Sequence, residues 1–235
     1  MSAAVVGLDS LLDARKVWRG KPQAVEGGQQ PTGHPELDRQ LPSGGWPQGA
    51  LSEILLQAPG SGELYLLWPT LARLSAAGER IVLVAPPFVP YAPAWQAAGV
   101  ALGQLVVIQA QGTEALWAAE QCLRSGSCGA VLCWPGKVDD RALRRLQVAA
   151  ETGQTLAFAC RSAEAALNAS PAALRIAVDA RPAQWRVLKC RGGLASTRPV
   201  PARPGTVPDL APVALHAFMA RPSAARPNAA RPGLA

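Results

Sequence analysis

The stretch Gln57-Ala58-Pro59-Gly60-Ser61-Gly62-Glu63-Leu64 carries the spacing of a phosphate-binding turn. It follows the apolar run from Leu51 to Leu56 and precedes a second run from Leu64 to Trp68. Strand, glycine-rich turn and helix in that order let backbone N–H groups at a helix start face an anion. The nucleotide-binding form of such a turn reads G-x-x-x-x-G-K-[ST], with the lysine on the β/γ-phosphates and the hydroxyl on Mg²⁺. Here Gly62 keeps the final glycine. Gln57 stands at the first glycine position, Glu63 at the lysine position and Leu64 at the Ser/Thr position. A carboxylate in place of the cation repels a triphosphate, and leucine offers the metal no oxygen. The turn is therefore expected to be a structural relic or an interaction surface, with weak nucleotide binding as the alternative.

No other constellation carries chemistry. Cys122, Cys128, Cys133, Cys160 and Cys190 form no C-x-x-C pair, and only His34 and His216 are available as imidazoles. That excludes the common zinc patterns. There is no Ser/His/Asp set and no pair of acids with a clear cleft placement. The expectation is a protein that binds rather than catalyses, with no cofactor and buried free thiols in a reducing, cytoplasmic compartment. The start of the chain has no basic leader, and no uncharged apolar run reaches membrane-spanning length.

Charge is unevenly placed. Residues 1–160 hold 12 Lys/Arg and 13 Asp/Glu, a net of −1, whereas residues 161–235 hold 11 and 3, a net of +8. Such asymmetry points to nucleic acid, an acidic partner or a solubilising tail. Arg186, Lys189, Arg191, Arg198 and Arg203 are the candidate contacts, with Arg15, Trp18 and Trp46 as further partner or DNA candidates; Trp46 reads more readily as core.

The elements that must position these residues follow from apolar runs and breakers. Strands are expected at 51–56, 81–84, 105–108, 130–134, 155–160, 174–178 and 184–188. Helices are expected at 64–77, 91–98, 112–125, 139–150 and 162–168, with Pro69 kinking the first or delaying its start. Alternating strands and helices through 51–160 read as βαβ units and a mostly parallel sheet. Residues 1–19 read as an amphipathic segment, 20–31 as a linker, 32–195 as the core, and 196–235 as a disordered Arg-Pro tail.

The lead-in Gly44-Gly45-Trp46-Pro47-Gln48-Gly49-Ala50-Leu51 is similar to that of RecA-type cores, within which the chain most resembles the ImuA family. Ala14 to Arg19 and Leu188 to Gly193 extend the likeness, which spans roughly residues 10–195. The resemblance implies an α/β, RecA-like P-loop core with a degenerate nucleotide site. It also places Ala85-Pro86-Pro87 where the family's catalytic glutamate stands, and Trp134-Pro135 where its metal-associated aspartate stands. Tyr91 is similar to the family's adenine-stacking tyrosine.

What the resemblance implies about function is a non-catalytic accessory role in damage-induced (SOS) translesion DNA synthesis. Its partners would be an inactive, ImuB-type Y-family polymerase protein, an error-prone replicative-type polymerase, RecA, and DNA through the basic C-terminal region. Two alternatives stand beside it: an inhibitor of cell division similar to SulA, which shares a degenerate RecA-like core, and a weak ATP-binding protein.

Overall fold

The computed structural model describes residues 30–196 and 198–202. The segment 1–19, most of the linker and Arg203 lie outside the described residues. The elements are α1 (Pro35–Asp38), β1 (Leu51–Leu56), α2 (Glu63–Ala76), β2 (Arg80–Val84), α3 (Ala92–Ala97), β3 (Leu105–Ile108), α4 (Gly112–Arg124), β4 (Cys128–Cys133), α5 (Asp140–Gly153), β5 (Leu156–Ser162), β6 (Leu174–Ala180), β7 (Ala183–Cys190) and β8 (Val200–Pro201). Short 3₁₀ turns occupy Leu102–Gln104 and Ala163–Leu167.

The sheet order is β3-β2-β4-β5-β1-β6-β7-β8. The first six strands are mutually parallel, and β7 and β8 are antiparallel additions. The expected mixed α/β fold with a mostly parallel sheet is thus present. The polar–apolar alternation of β6 and β7 suggests an antiparallel or edge pair. They do pair antiparallel, but β6 also pairs in parallel with β1, and β8 covers β7. Val200–Pro201 lies within the stretch expected to be unstructured: Trp185 pairs with Val200, whose buried side chain joins the core.

Period-2 alternation sorts the strand residues into two cores. On one face Ile54, Leu83, Leu132, Phe158 and Ile176 pack against Leu66, Leu67 and Leu71 of α2 and Trp95 of α3. On the other, Leu51, Val82, Val131, Ala157 and Ala159 meet Ala115, Ala119 and Leu123 of α4 and Leu143, Leu146 and Ala150 of α5. Small residues dominate the second layer, so its two helices lie close on the sheet.

That second face carries a buried charge cluster. Glu53 of β1 is fully buried; its Oε1 lies 2.5 Å from Nη1 of Arg161 on β5, and its Oε2 lies 2.7 Å from Nε of Arg175 on β6. Strand register places all three on one face: Glu53 is opposite Ala159, two residues before Arg161, and directly opposite Arg175. Arg161 also donates to the carbonyl of Val138. Arg175 donates to the carbonyls of Ala165 and Asn168, closing the end of the 3₁₀ turn.

The lead-in packs on α2. That helix runs through Pro69 without ending. Proline has no N–H to give the carbonyl of Tyr65, four residues back. His34 lies beside that gap, with Nε2 3.2 Å from the carbonyl of Leu66. Gly33 makes the approach feasible: its φ is 87°, and a Cβ there would lie 2.3 Å from Pro69 Cβ. Trp46 donates to Thr70 Oγ1 at 2.8 Å, and Thr70 donates to the carbonyl of Thr32.

Two predictions follow from these contacts. Glu53→Ala leaves two buried guanidinium groups facing each other and should cost about 3–5 kcal/mol in urea unfolding; a loss below about 1 kcal/mol would show that the arginines find water. Burial holds His34 below its ordinary pKa of 6.5, against the opposing pull of the Leu66 carbonyl and of Asp38. The unfolded chain therefore takes up a proton as pH falls through 6.5, before the folded one does, and stability is lost on acidification below that point. Urea midpoints at pH 7.5 and 5.5 should separate more in the native chain than in His34→Gln.

Candidate functional site

Sheet topology fixes where a site belongs. The chain runs outward from β1 through β2 to β3 with α2 and α3 on one face, then returns through β4 and β5 with α4 and α5 on the other. Adjacent strands β2 and β4 therefore send their helices to opposite faces, and a crevice opens beyond their carboxyl ends.

The glycine-rich turn borders this crevice, and it supplies its own anion. Gly62 (φ 110°, ψ 13°) precedes α2, whose first residue, Glu63, is buried. Its carboxylate folds back so that Oε1 accepts the N–H of Gly60 at 2.8 Å. The N–H of Ala58 is taken by Ser61 Oγ at 3.1 Å. Glu63 thus does more than repel phosphate from a distance: it occupies a backbone donor that a phosphate would need. Among Gln57, Gly60, Gly62, Glu63 and Leu64, Glu63 and Leu64 turn inward, and Gln57 and Gly60 are exposed.

The crevice itself is apolar and small. Its lining comprises Glu63, Leu64, Leu83, Pro86, Pro87, Phe88, Pro90, Trp95 and Trp134, around about 20 Å³ of space, room for roughly one water. Ala85 turns the chain into this wall with φ 53°, a strained value for a residue with a Cβ, held by donation of its N–H to the carbonyl of Ile108 at 2.9 Å. Two buried thiols, Cys133 and Cys160, stand on opposite faces of the neighbouring strands, both with raised pKa. Burial pushes Cys133 up to about 12, partly opposed by Arg161. Burial, then Glu63, push Cys160 well above the ordinary range. No group of His, Cys, Asp and Glu among the described residues could hold a metal.

The basic candidates lie elsewhere and are largely occupied. Arg186 makes a two-armed contact to Asp179, whose carboxyl it holds below the usual range. Lys189 donates to the carbonyl of Ser170 at 2.6 Å, and its pKa is lowered by burial and then by Arg191 and Arg175. Arg191 lies 3.6 Å from Glu151, and Arg198 is exposed. Trp46, at 1 % exposure, stands edge-on to Phe158 in the core and presents no platform to a base. Arg15, Trp18 and Arg203 fall outside the described residues.

One surface stands out that the sequence reading passed over. From Ile81 to Thr113 the chain contains no charged residue. This span forms one border of the sheet, and within it Val89, Tyr91, Leu102, Val106 and Val107 are exposed. β3 is the edge strand, with neither proline nor charge to blunt it, whereas β8 at the opposite edge is short and contains Pro201. The long gap in charge was the available signal.

The crevice, the turn and this edge all fall within one match to a known family. The model for "Cell division inhibitor SulA" matches residues 49–157. That is similarity over somewhat less than half of the chain. A solved structure of SulA from Pseudomonas aeruginosa is 28% identical, covering 48% of this chain and 97% of that one, with a TM-score of 0.42. A search of curated proteins found no match.

The SulA match overturns the ImuA resemblance, and with it the translesion role, the polymerase partners, RecA and the DNA contact. The physical reason is visible in the lead-in. Trp46, Gly45 and Thr32 are used by the scaffold, bracing α2, so their likeness to RecA-type cores reported packing and not a shared partner. No helix among the described residues is long and apolar enough to cross a membrane.

Because Glu63 already fills the turn, isothermal titration with Mg-ATP should give no saturable heat in either the native chain or Glu63→Gln. A saturable isotherm in the native chain would reinstate the nucleotide reading.

Proposed function

We propose that this protein is a cytoplasmic inhibitor of cell division, similar to SulA, that acts by binding and not by catalysis. The observation that carries this reading is the uncharged, exposed border formed by β3 and the loop before α3. It lies inside the segment that resembles SulA. Contiguous exposed apolar surface at an open sheet edge is characteristic of a protein–protein contact. Free backbone donors and acceptors of β3 would pair with an extended segment of the partner, while Val106 and Val107 contact it on opposite faces of the sheet. The turn at 57–64 is, in this reading, the remnant of a phosphate-binding turn retained for its role in the fold. The core does the docking, and the segments 1–19 and 196–235 are accessory to it.

The partner is a component of the division machinery, for which FtsZ is the first to test. Adding the full chain to purified FtsZ should suppress its assembly in light scattering at stoichiometric amounts. Val107→Lys, at an exposed edge position, should weaken the effect at least tenfold with its circular dichroism unchanged, while Arg191→Ala should act like the native chain. No effect of the native chain at severalfold molar excess would sink the proposal.

A further inference from the structure

Three buried polar atoms on the crevice lining residues have no hydrogen-bond partner: Oε2 of Glu63 and the indole Nε1 atoms of Trp95 and Trp134. Buried polar groups in native proteins are almost always paired, so such a concentration marks a place built for something. Glu63 is 2 % exposed, and no ion pair with a cation neutralises it among the described residues. The contrast with Glu53, equally buried but held between two arginines, is internal to the same sheet. The neighbouring strain at Ala85 sets Pro86 and Pro87 as one wall. Strained backbone and unpaired polar groups, both costly, coincide at the carboxyl ends of the strands.

We infer that this crevice is a receptor for a single lysine side chain presented by the protein's partner. The chemistry selects the class of ligand. A carboxylate with a free oxygen accepts from a cation, and the surrounding leucine, proline and aromatic surface suits an aliphatic stem. Trp95 and Trp134 line the crevice, and an aromatic ring attracts a cation more strongly once it is desolvated. Size favours lysine over arginine: with space for about one water, only a compact ammonium head group enters while its stem stays at the proline-lined mouth, whereas a guanidinium is larger and planar. Insertion would pair Glu63 Oε2 and exclude water, the arrangement found at binding hot spots. No bond is made or broken. The inference rests on the docking reading above and adds to it a second, charge-selective point of contact beside the apolar edge.

The test uses the full chain and the division protein captured by it, with affinity read by biolayer interferometry. Glu63→Gln keeps an acceptor for the Gly60 N–H and removes the charge. It should fold with a melting temperature equal to or above the native value, yet bind the partner at least tenfold more weakly. In parallel, the partner is acetylated on its lysines. Acetylation should weaken binding to the native chain at least tenfold and add little to the loss already present in Glu63→Gln. Unchanged affinity of Glu63→Gln would overturn the inference, as would native binding indifferent to acetylation, which needs no variant to fold. In either case, loss of binding in Val107→Lys would leave the docking reading standing. Failure of the native chain to bind the division protein at all would instead remove that reading, and the inference with it.

Discussion

Glu53 sits in the middle of β1 with no access to solvent, and the central sheet is arranged so that two arginines reach it. Desolvating three charged groups is costly, and their mutual attraction offsets that cost only if the geometry is held tightly. The strand register meets this condition by placing Arg175 directly opposite Glu53 and Arg161 two residues beyond its other neighbour. A slip of one residue in either strand would turn an arginine to the opposite, fully apolar face. The cluster therefore specifies the order and register of β5, β1 and β6. That in turn fixes where α2 begins, and with it the position of the glycine-rich turn.

From this frame the rest of the molecule follows in layers. The face opposite the cluster receives α2 and α3, whose large side chains fill the space around Phe158 and Trp185. The cluster's own face is covered by α4 and α5 through alanines, and by the 3₁₀ turn whose carbonyls Arg175 satisfies. His34 closes the arrangement from outside: its ring lies against Trp185, with centroids 4.3 Å apart, and its Nε2 meets a carbonyl of the helix that Pro69 weakens. One imidazole thereby links the lead-in, the first helix after the turn and the antiparallel strand pair.

Two buried glutamates show how the same side chain serves different ends. Glu53 is neutralised by an ion pair at each oxygen, and its role is structural. Glu63 is half paired, with one oxygen closing the turn and the other left over in an apolar crevice. The first makes the fold rigid, and the second leaves it with an unspent interaction at the strand ends. The open β3 edge is a second unspent interaction, this time of backbone groups. Both lie within the segment similar to SulA, on the part of the molecule where α3 and the Pro-rich loop meet the sheet.

Much of the fold was legible in the chain itself. Apolar runs bounded by Gly and Pro located β1, β2 and β3 to within a residue, and the pair Asp139-Asp140 marked the start of α5, where the Asp139 side chain accepts the N–H of Ala142. These are local signals, readable because strand burial and helix caps depend on near neighbours. The replacement of lysine by Glu63 was equally local, and it indicated a turn unable to hold a triphosphate. What the tertiary structure alone decided depends on residues far apart in sequence. Glu53 looks like a polar interruption until Arg161 and Arg175 arrive from strands more than a hundred residues later. Trp46 reads as core or platform from its neighbours alone, and only Thr70 and Phe158, distant in sequence, decide for core. Arg186, Lys189 and Arg191 look like a free basic surface until Asp179, the Ser170 carbonyl and Glu151 engage them. Composition counts charges, but only three-dimensional pairing determines which of them a partner can still reach.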